Sequence, residues 1–221
     1  MSQSSLGLDD ELQNYLLEVS LHEPVACRQL REQTQALPEA MMISSPEQVQ
    51  MLLLLFKLLQ AGRGLEVGTF TGYTSLRLTL GMPELHMTCC DISEEFTAIA
   101  REHWQQAGVS GRIDLQLAPA QETLDRLVAE GRQGSYDFAY IDADKSGYRG
   151  YVEASLELVR AGGLVALDNV LWGGAVVDPT DDSEDTVALR ELNRWLHAEA
   201  PDRFDLSLVP IGDGLTLLRK Y

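Results

Sequence analysis

Short apolar runs alternate with helix-like segments through most of this chain, and the alternation restricts it to one fold class. Five runs, at 65–67, 85–90, 113–117, 136–141 and 164–167, are each followed by a segment of helical periodicity. Such alternation predicts an α/β fold, a parallel sheet with helices on both faces. Two later runs, 204–209 and 215–218, flank a glycine-rich turn and predict an antiparallel hairpin at one edge. We therefore expect one domain over residues 1–221, with residues 1–40 as a helical N-terminal extension.

The turn after the first strand carries two glycines, in the stretch L-E-V-G-T-F-T-G-Y-T-S-L that begins at Leu65. Gly68 lacks a Cβ, so it permits a tight turn and lets backbone approach a ligand closely. The first amides of the following helix point into the same space. Glu66, at the strand end, can face a positive charge, and the fingerprint G-x-G-x-x-G is absent. The pattern favours a nucleoside that carries a cation over a pyrophosphate, although an ordinary strand-to-helix turn also explains the glycines.

Acidic side chains stand at the ends of four of the predicted strands. Ligands of open α/β sheets bind at the carboxyl edge, so this pattern predicts a functional site there. Asp91 follows Glu66 by 25 residues, where an acid can accept both hydroxyls of a ribose. Its alternative role, a helix cap, is already filled by Ser93. The acids in question are Glu66, Asp91, Asp142 with Asp144, and Asp168 next to Asn169.

Three of these side chains, Asp142, Asp168 and Asn169, are candidate metal ligands. They offer only oxygen, which suits a hard cation such as Mg²⁺, with Ca²⁺ or Mn²⁺ as alternatives, and not zinc. By itself, the sequence D-A-D-K at 142–145 would indicate a solvated turn. Because D-N at 168–169 follows the next strand, a metal site is the better interpretation of the two motifs together. Lys145 lies three residues after Asp142, where a nearby cation disfavours its protonated form and suits it to act as a base. A surface lysine is the alternative.

Five segments together resemble the cation-dependent O-methyltransferases that use S-adenosylmethionine, the group that contains caffeoyl-CoA and catechol O-methyltransferases. The segments are the glycine stretch, C-D-I, Y-I-D-A-D-K, A-L-D-N-V-L-W-G-G and G-D-G-L-T-L. The resemblance runs from about Met42 to the C-terminus and departs at Val49, where many relatives have glycine. It implies a Rossmann-like seven-stranded methyltransferase sheet of order 3-2-1-4-5-7-6, with strand 7 antiparallel and helices on both faces. It also implies a homodimer.

The resemblance also assigns roles to residues. It implies a divalent cation that binds two adjacent hydroxyls of an aromatic acceptor, Lys145 as the base, and an oxyanion that attacks the sulfonium methyl group. Asp142 is assigned to the metal, to the cofactor and, with Lys145, to catalysis. The implied cofactor residues are Met42, Ser44, Glu66, Gly68, Phe70, Thr74, Asp91, Ala120 and Asp142, and the implied metal ligands are Asp142, Asp168 and Asn169.

Two aromatic side chains, Tyr148 and Trp172, are expected near the mouth of the site, where they would contact an aromatic substrate. The acidic loop 178–185 disfavours an anionic CoA thioester, so a small catechol or caffeoyl-type acceptor is expected. The alternative is methylation of a hydroxyuridine in tRNA. A formal net charge of -17 argues against a nucleic-acid substrate. The only feature that supports the tRNA alternative is a local strip of Arg149, Arg160 and Arg190.

Charge and cysteine content indicate the compartment. The net charge disfavours an anionic membrane surface, and the most apolar run, 51–55, is too short to span a bilayer. The three cysteines form no disulfide framework, and the N-terminus lacks the features of a signal peptide. We therefore expect a cytoplasmic protein that does not associate with membranes.

Overall fold

In a computed structural model, which describes residues 7–221, seven strands form a single sheet. Its strand order is 3-2-1-4-5-7-6. The first five strands pair in parallel, and the seventh is antiparallel to both of its neighbours. The predicted fold class is therefore confirmed. The strands are β1 (Arg63–Val67), β2 (His86–Asp91), β3 (Ile113–Leu117), β4 (Tyr136–Ile141), β5 (Val159–Leu167), β6 (Phe204–Val209) and β7 (Leu215–Lys220).

Helices cover both faces of the sheet, and strand alternation decides which side chains meet them. On β4, Phe138 and Tyr140 pack toward α3 and α4, whereas Ala139 and Ile141 pack toward α6, α7 and α8. None of the helices between residues 7 and 221 combines the length and apolar character needed to cross a membrane. The helices are α1 (Asp10–Ser20), α2 (Val25–Thr34), α3 (Pro46–Leu58), α4 (Tyr73–Gly81), α5 (Glu94–Gln106), α6 (Ala120–Ala129), α7 (Tyr148–Leu158) and α8 (Glu184–Arg203).

Helix α3 differs from its sequence-based interpretation in two respects. The sequence from Val49 to Leu59 is apolar almost all round, which predicts a helix buried between other elements. Leu54 and Leu58 are nevertheless 60% and 74% exposed, because only one face of the helix packs against the sheet. Ser45, Pro46 and Gln48 together predict a helix start, with Ser45 as the cap, and Pro46 is the first helical residue. Ser45, however, makes no capping bond, and Gln48 reaches the active-site region instead of the helix terminus.

Backbone hydrogen bonds continue one residue beyond the ends of the central strands. The amide of Gly68 donates to Cys90 O at 3.0 Å, that of Asp142 to Val67 O at 2.8 Å, and that of Asp168 to Ile141 O at 3.0 Å. The residues that follow β1, β4 and β5 are therefore held in register at one edge of the sheet.

Candidate active site

The glycine turn after β1 is fixed by its own geometry and by one carboxylate. Gly68 has φ +87°, and a Cβ built there would lie 1.8 Å from the carbonyl oxygen of Asp142, so only glycine fits. Phe70 also has a positive φ, of 51°. Asp91 stabilises this conformation, since its Oδ2 accepts the amides of Thr69 at 2.9 Å and Phe70 at 2.7 Å. The Asp91 carboxylate and the glycine backbone thus hold this turn in its shape.

Asp91 retains capacity for a ligand hydroxyl. Its Oδ1 accepts the amide of Ser93 at 2.7 Å, while Ser93 itself caps α5 by accepting the amide of Phe96. A carboxylate has about four acceptor positions, and three are used here. The assignment of Asp91 to a ribose stays a prediction that this geometry allows.

Glu66 is a buried acid, 1% exposed. Burial raises the pKa of its carboxyl to about 8, partly offset by hydrogen bonds with Cys89 and Ser75. Its Oε2 has no hydrogen-bond partner within the described part of the chain. A buried carboxyl oxygen without a partner is costly, so it requires a proton or a bound donor.

Beyond β4 and β5, Lys145 contacts two of the three predicted metal ligands. Its ammonium donates to Asn169 Oδ1 at 2.7 Å and lies 3.5 Å from Asp142 Oδ1. The carboxyl of Asp168 is 3% exposed, and the side chain of Lys145 is buried as well. Asn169 adopts φ +55°, a left-handed conformation that asparagine tolerates better than most residues. The structure therefore brings together all four residues that the sequence placed at this point.

The donor set fits a hard cation. Burial and the charge of Asp168 raise the pKa of Asp142 to about 7, and burial also raises the pKa of Asp168. Two such carboxylates need compensating positive charge, of which Lys145 supplies one unit. Within residues 7–221 no three His, Cys, Asp or Glu side chains form a metal-binding group, because the third oxygen donor here is the amide of Asn169. Two carboxylates and an amide suit Mg²⁺.

A layer of hydrogen bonds beneath Asp168 went unrecognised in the sequence. Tyr140 donates to Asp168 Oδ2 at 2.5 Å, and Gln48 donates to the same oxygen at 2.6 Å. Ser44 Oγ lies 2.9 Å from the Tyr140 hydroxyl and 3.2 Å from Asp142 Oδ2, and it can donate its single proton to either oxygen. Tyr140 sits at a core position of its strand and Gln48 at a capping position of its helix, so neither pattern pointed to the site.

The remaining predicted cofactor residues occupy different parts of the same edge. Thr74, at the start of α4, donates to Ser44 at 3.3 Å, so the turn and the segment before α3 are joined. Met42 ends a short 3₁₀ helix and is 53% exposed. Ala120 is the first residue of α6, and Phe70 packs edge-on against Phe96, with ring centroids 4.7 Å apart.

The structure corrects the expected position of Tyr148. Its side chain is fully buried, and its hydroxyl accepts from Lys145 Nζ at 2.7 Å and donates to Asp168 O at 3.1 Å. Tyr148 therefore lies beneath Lys145 and not at the mouth, because α7 begins at this residue and turns the ring into the core. Trp172 is partly buried, and its ring centroid lies 5.5 Å from Lys145 Nζ.

The arginines proposed as a nucleic-acid strip are each engaged within the chain. Arg160 pairs with Asp137 at 2.7 Å, and the guanidinium of Arg149 lies over the ring of Trp195. Arg190 donates to the carbonyls of Val176 and Asp178, which ties the acidic loop to α8. Each of these arginines thus has a partner inside the chain, and methylation of a tRNA hydroxyuridine stays the alternative.

Comparison with known proteins identifies the family. The family model described as O-methyltransferase matches residues 17–221. Catechol O-methyltransferase domain-containing protein 1 of Mus musculus is 40% identical over 96% of this chain and 80% of its own length. Caffeoyl-CoA O-methyltransferase of Eucalyptus gunnii is 38% identical over 100% of this chain and 91% of its own.

Solved structures agree. The SAH-bound methyltransferase PaMTH1 of Podospora anserina superimposes with a TM-score of 0.87, at 28% identity and full coverage of both chains. The O-methyltransferase of Bacillus cereus in complex with SAH gives 0.84 at 26% identity, covering 95% of this chain and 97% of that one. The glycine turn and the acids at the strand ends thus lie in a fold that binds SAH, the demethylated form of S-adenosylmethionine, in these two solved structures. The chain belongs to the O-methyltransferase family and is an S-adenosylmethionine-dependent O-methyltransferase.

Proposed function

We propose that this enzyme methylates one hydroxyl of a small aromatic acceptor with two adjacent hydroxyls, of catechol or caffeoyl type, with the help of a divalent cation. The observation that carries the proposal is the position of Lys145 Nζ. It lies between Asn169 and Asp142 and 5.5 Å from the ring centroid of Trp172. A base, a set of oxygen ligands and an aromatic ring are therefore present within one small region.

The residues proposed to hold the cation are Asp142, Asp168 and Asn169. When bound, a divalent cation supplies Lewis acidity that lowers the pKa of a coordinated phenol. Mg²⁺ is the preferred ion, because all three side chains present oxygen, and Ca²⁺ or Mn²⁺ are alternatives. The named relatives fit this acceptor class, since one is a caffeoyl-CoA O-methyltransferase.

Lys145 is proposed as the general base. As an ammonium it has three N–H groups, which face Tyr148, Asn169 and Asp142. Loss of one proton leaves a lone pair that accepts the proton of the acceptor hydroxyl, while hydrogen bonds to the fixed oxygens of Tyr148 and Asn169 keep the amine oriented. The buried side chain excludes water from this transfer.

The methyl transfer itself needs mainly alignment. S-adenosylmethionine, when bound beside the glycine turn, would supply the methyl group to the deprotonated acceptor hydroxyl, and the residues of this edge would hold the two in line. The lack of a Cβ at Gly68 lets the backbone of Asp142 pack against the glycine turn. The acids Glu66 and Asp91 border the same turn. Positioning of this kind accounts for a large part of the barrier reduction. Trp172 is proposed to contact the acceptor ring.

A methyl-transfer assay tests the proposal. The protein is incubated with S-adenosylmethionine and, separately, catechol, caffeic acid, caffeoyl-CoA, phenol and bulk tRNA, each with Mg²⁺ and with a chelator. Mono-methylated catechol or caffeoyl product that forms only with the metal is the expected result, with phenol unreactive because it lacks the second hydroxyl. Product that persists in chelator contradicts the role of the cation, and methylated tRNA as sole product contradicts the acceptor.

We also propose a cytoplasmic homodimer, as the family resemblance implies. Its support is a group of exposed apolar side chains on two adjoining helices, with Leu54 and Leu58 on α3 and Tyr15 and Val19 on α1. The two helices are in contact, since Gln13 donates to Glu47 at 2.8 Å. Sedimentation equilibrium tests the oligomeric state, and the mass of a single chain at all concentrations contradicts it.

A further inference from the structure

We infer that Tyr140 and Gln48 are positioning residues that fix the Asp168 carboxylate in one orientation for the proposed cation. The inference rests on the proposed function, because the carboxylate is positioned for that ion. Both residues donate to the same oxygen, Oδ2, at 2.5 and 2.6 Å. Neither touches the acceptor or the cofactor in the mechanism above.

The two donors approach from the inner layer of the protein. Tyr140 is 1% exposed, at the end of β4, and Gln48 is also 1% exposed, on the face of α3 that packs on the sheet. Their donation fixes which carboxylate oxygen points inward. Among residues 7–221, the other oxygen, Oδ1, accepts only the backbone amide of Asn169, at 2.7 Å, and so retains lone pairs for a ligand.

The orientation of Gln48 follows from its partners. Its Nε2 group faces two oxygens, Asp168 Oδ2 and, at 3.3 Å, the Tyr140 hydroxyl. An amide oxygen placed there would meet a carboxylate oxygen, so the nitrogen must face Asp168. Gln48 Oε1 then points toward Gly212 and has no partner within the described residues. Gln48 Nε2 therefore bonds the Asp168 carboxylate, while Gln48 Oε1 is buried without a hydrogen-bond partner in the described part of the chain. Buried polar atoms without partners are rare in native proteins, and a functional role is one reason for them.

Tyr140 also links Asp168 to Asp142. Its oxygen lies 2.9 Å from Ser44 Oγ, which also lies 3.2 Å from Asp142 Oδ2 and can donate its single proton to either of these oxygens. One phenol hydroxyl therefore contacts a carboxylate of β5 directly and reaches one of β4 through a serine. Partners of this kind restrict metal ligands to a productive geometry, and their loss costs about 10–100-fold in metal affinity.

The test uses variants that remove only the donating atoms. Tyr140→Phe deletes one hydroxyl, and its matched control is Tyr136→Phe, on the same strand, whose hydroxyl contacts Thr88 and not the site. Gln48→Met removes the amide, and Gln50→Met, on the same helix, is its control because Gln50 bonds the backbone of Ser20 and His22. Folding is checked by circular dichroism and by S-adenosylmethionine affinity. Mg²⁺ and Mn²⁺ affinities are measured by calorimetry without acceptor.

Tyr140→Phe and Gln48→Met are expected to bind either ion at least about tenfold more weakly, with unchanged cofactor affinity. Saturating Mg²⁺ should restore their turnover, which a general packing defect would not allow. If the wild type binds the ion and both variants bind it with the same affinity, the inference is overturned while the proposed cation stands. Absence of metal binding by the wild type overturns the proposed cation and this inference with it.

Discussion

Lys145 Nζ lies 2.7 Å from Asn169 Oδ1, so the proposed base and a proposed metal ligand are hydrogen-bonded to each other. The asparagine oxygen has two lone pairs and can serve both partners. A cation at the proposed site would consequently be held by the same side chain that bonds the proposed base. Changes at either residue should therefore affect proton removal more than cofactor binding.

Replacement of the base gives the most direct check. Lys145→Met keeps an unbranched side chain of similar length but removes the amine, so methyl transfer should fall by about 10²–10⁴-fold. The affinity for S-adenosylmethionine should be unchanged, because Lys145 contacts none of the glycine turn. Turnover is measured by mass spectrometry of the methylated acceptor and affinity by calorimetry. The exposed Lys57→Met serves as control, and near-wild-type turnover of Lys145→Met would eliminate the base assignment.

Trp172 provides a test of acceptor contact. Trp172→Leu should raise KM for a catechol acceptor about tenfold, because an aromatic pair and its buried area are lost. Trp172→Phe should recover part of the effect, and KM for the cofactor should not move. Trp195→Leu, a second partly buried tryptophan that packs with Arg149 and Arg203, controls for loss of an indole elsewhere. Equal acceptor KM in Trp172→Leu and the wild type would remove Trp172 from the acceptor site.

The buried acid of β1 predicts a pH dependence of stability. Glu66 ionises near pH 4.5 when the chain is unfolded, whereas burial raises the pKa in the folded protein to about 8. Between these values the folded state binds more protons, so its contribution is complete below pH 4.5 and is lost as the pH rises to 8. The free energy of unfolding should therefore fall across this window.

Asp142 also has a raised pKa and lowers the free energy of unfolding over the same pH range. Glu66→Gln removes the Glu66 contribution alone and so separates the two. The variant should lose less stability than the wild type between pH 5 and pH 8, as measured by urea unfolding at several pH values. Parallel curves for the two proteins would mean that Glu66 ionises normally in the folded state.

The glycine turn allows a comparison of two alanine variants. Gly68 and Gly108 both have positive φ, but a Cβ at Gly108 meets nothing within 4 Å, whereas at Gly68 it overlaps Asp142 O. Gly108→Ala should cost about 1–2 kcal/mol of unfolding free energy from backbone conformation alone. Gly68→Ala should cost clearly more and should also weaken cofactor binding. Equal losses in urea unfolding would show that the overlap is relieved without strain.

Sequence reasoning recovered those parts of the molecule that depend on local patterns. The bounds of β3, β4 and β6 match the predicted runs, because each is a short apolar segment between turn signals. The acids after β4 and β5 were found because they follow strand ends directly. Gly68 was found because only glycine satisfies the turn.

What was missed depends on contacts between distant segments. Gln48 was interpreted as part of a helix start, and its actual partner, Asp168, lies on another element. Because α3 is apolar almost all round, the sequence predicts Leu54 and Leu58 to be buried. Only the packing of α3 against the sheet shows that their face is exposed to solvent. Tyr148 was expected at the mouth, but α7 begins at this residue and its side chain is buried in the core.

The hydrogen bond between Gln48 and Asp168 joins residues 120 positions apart. During synthesis at about 5–20 residues per second, Gln48 therefore leaves the ribosome's catalytic centre about 6–24 s before its partner has been added. Any folding in that interval must leave the amide of Gln48 without the carboxylate that satisfies it in the finished protein. The edge proposed to bind the cation is consequently a late product of biosynthesis, completed only after β5 has joined the sheet.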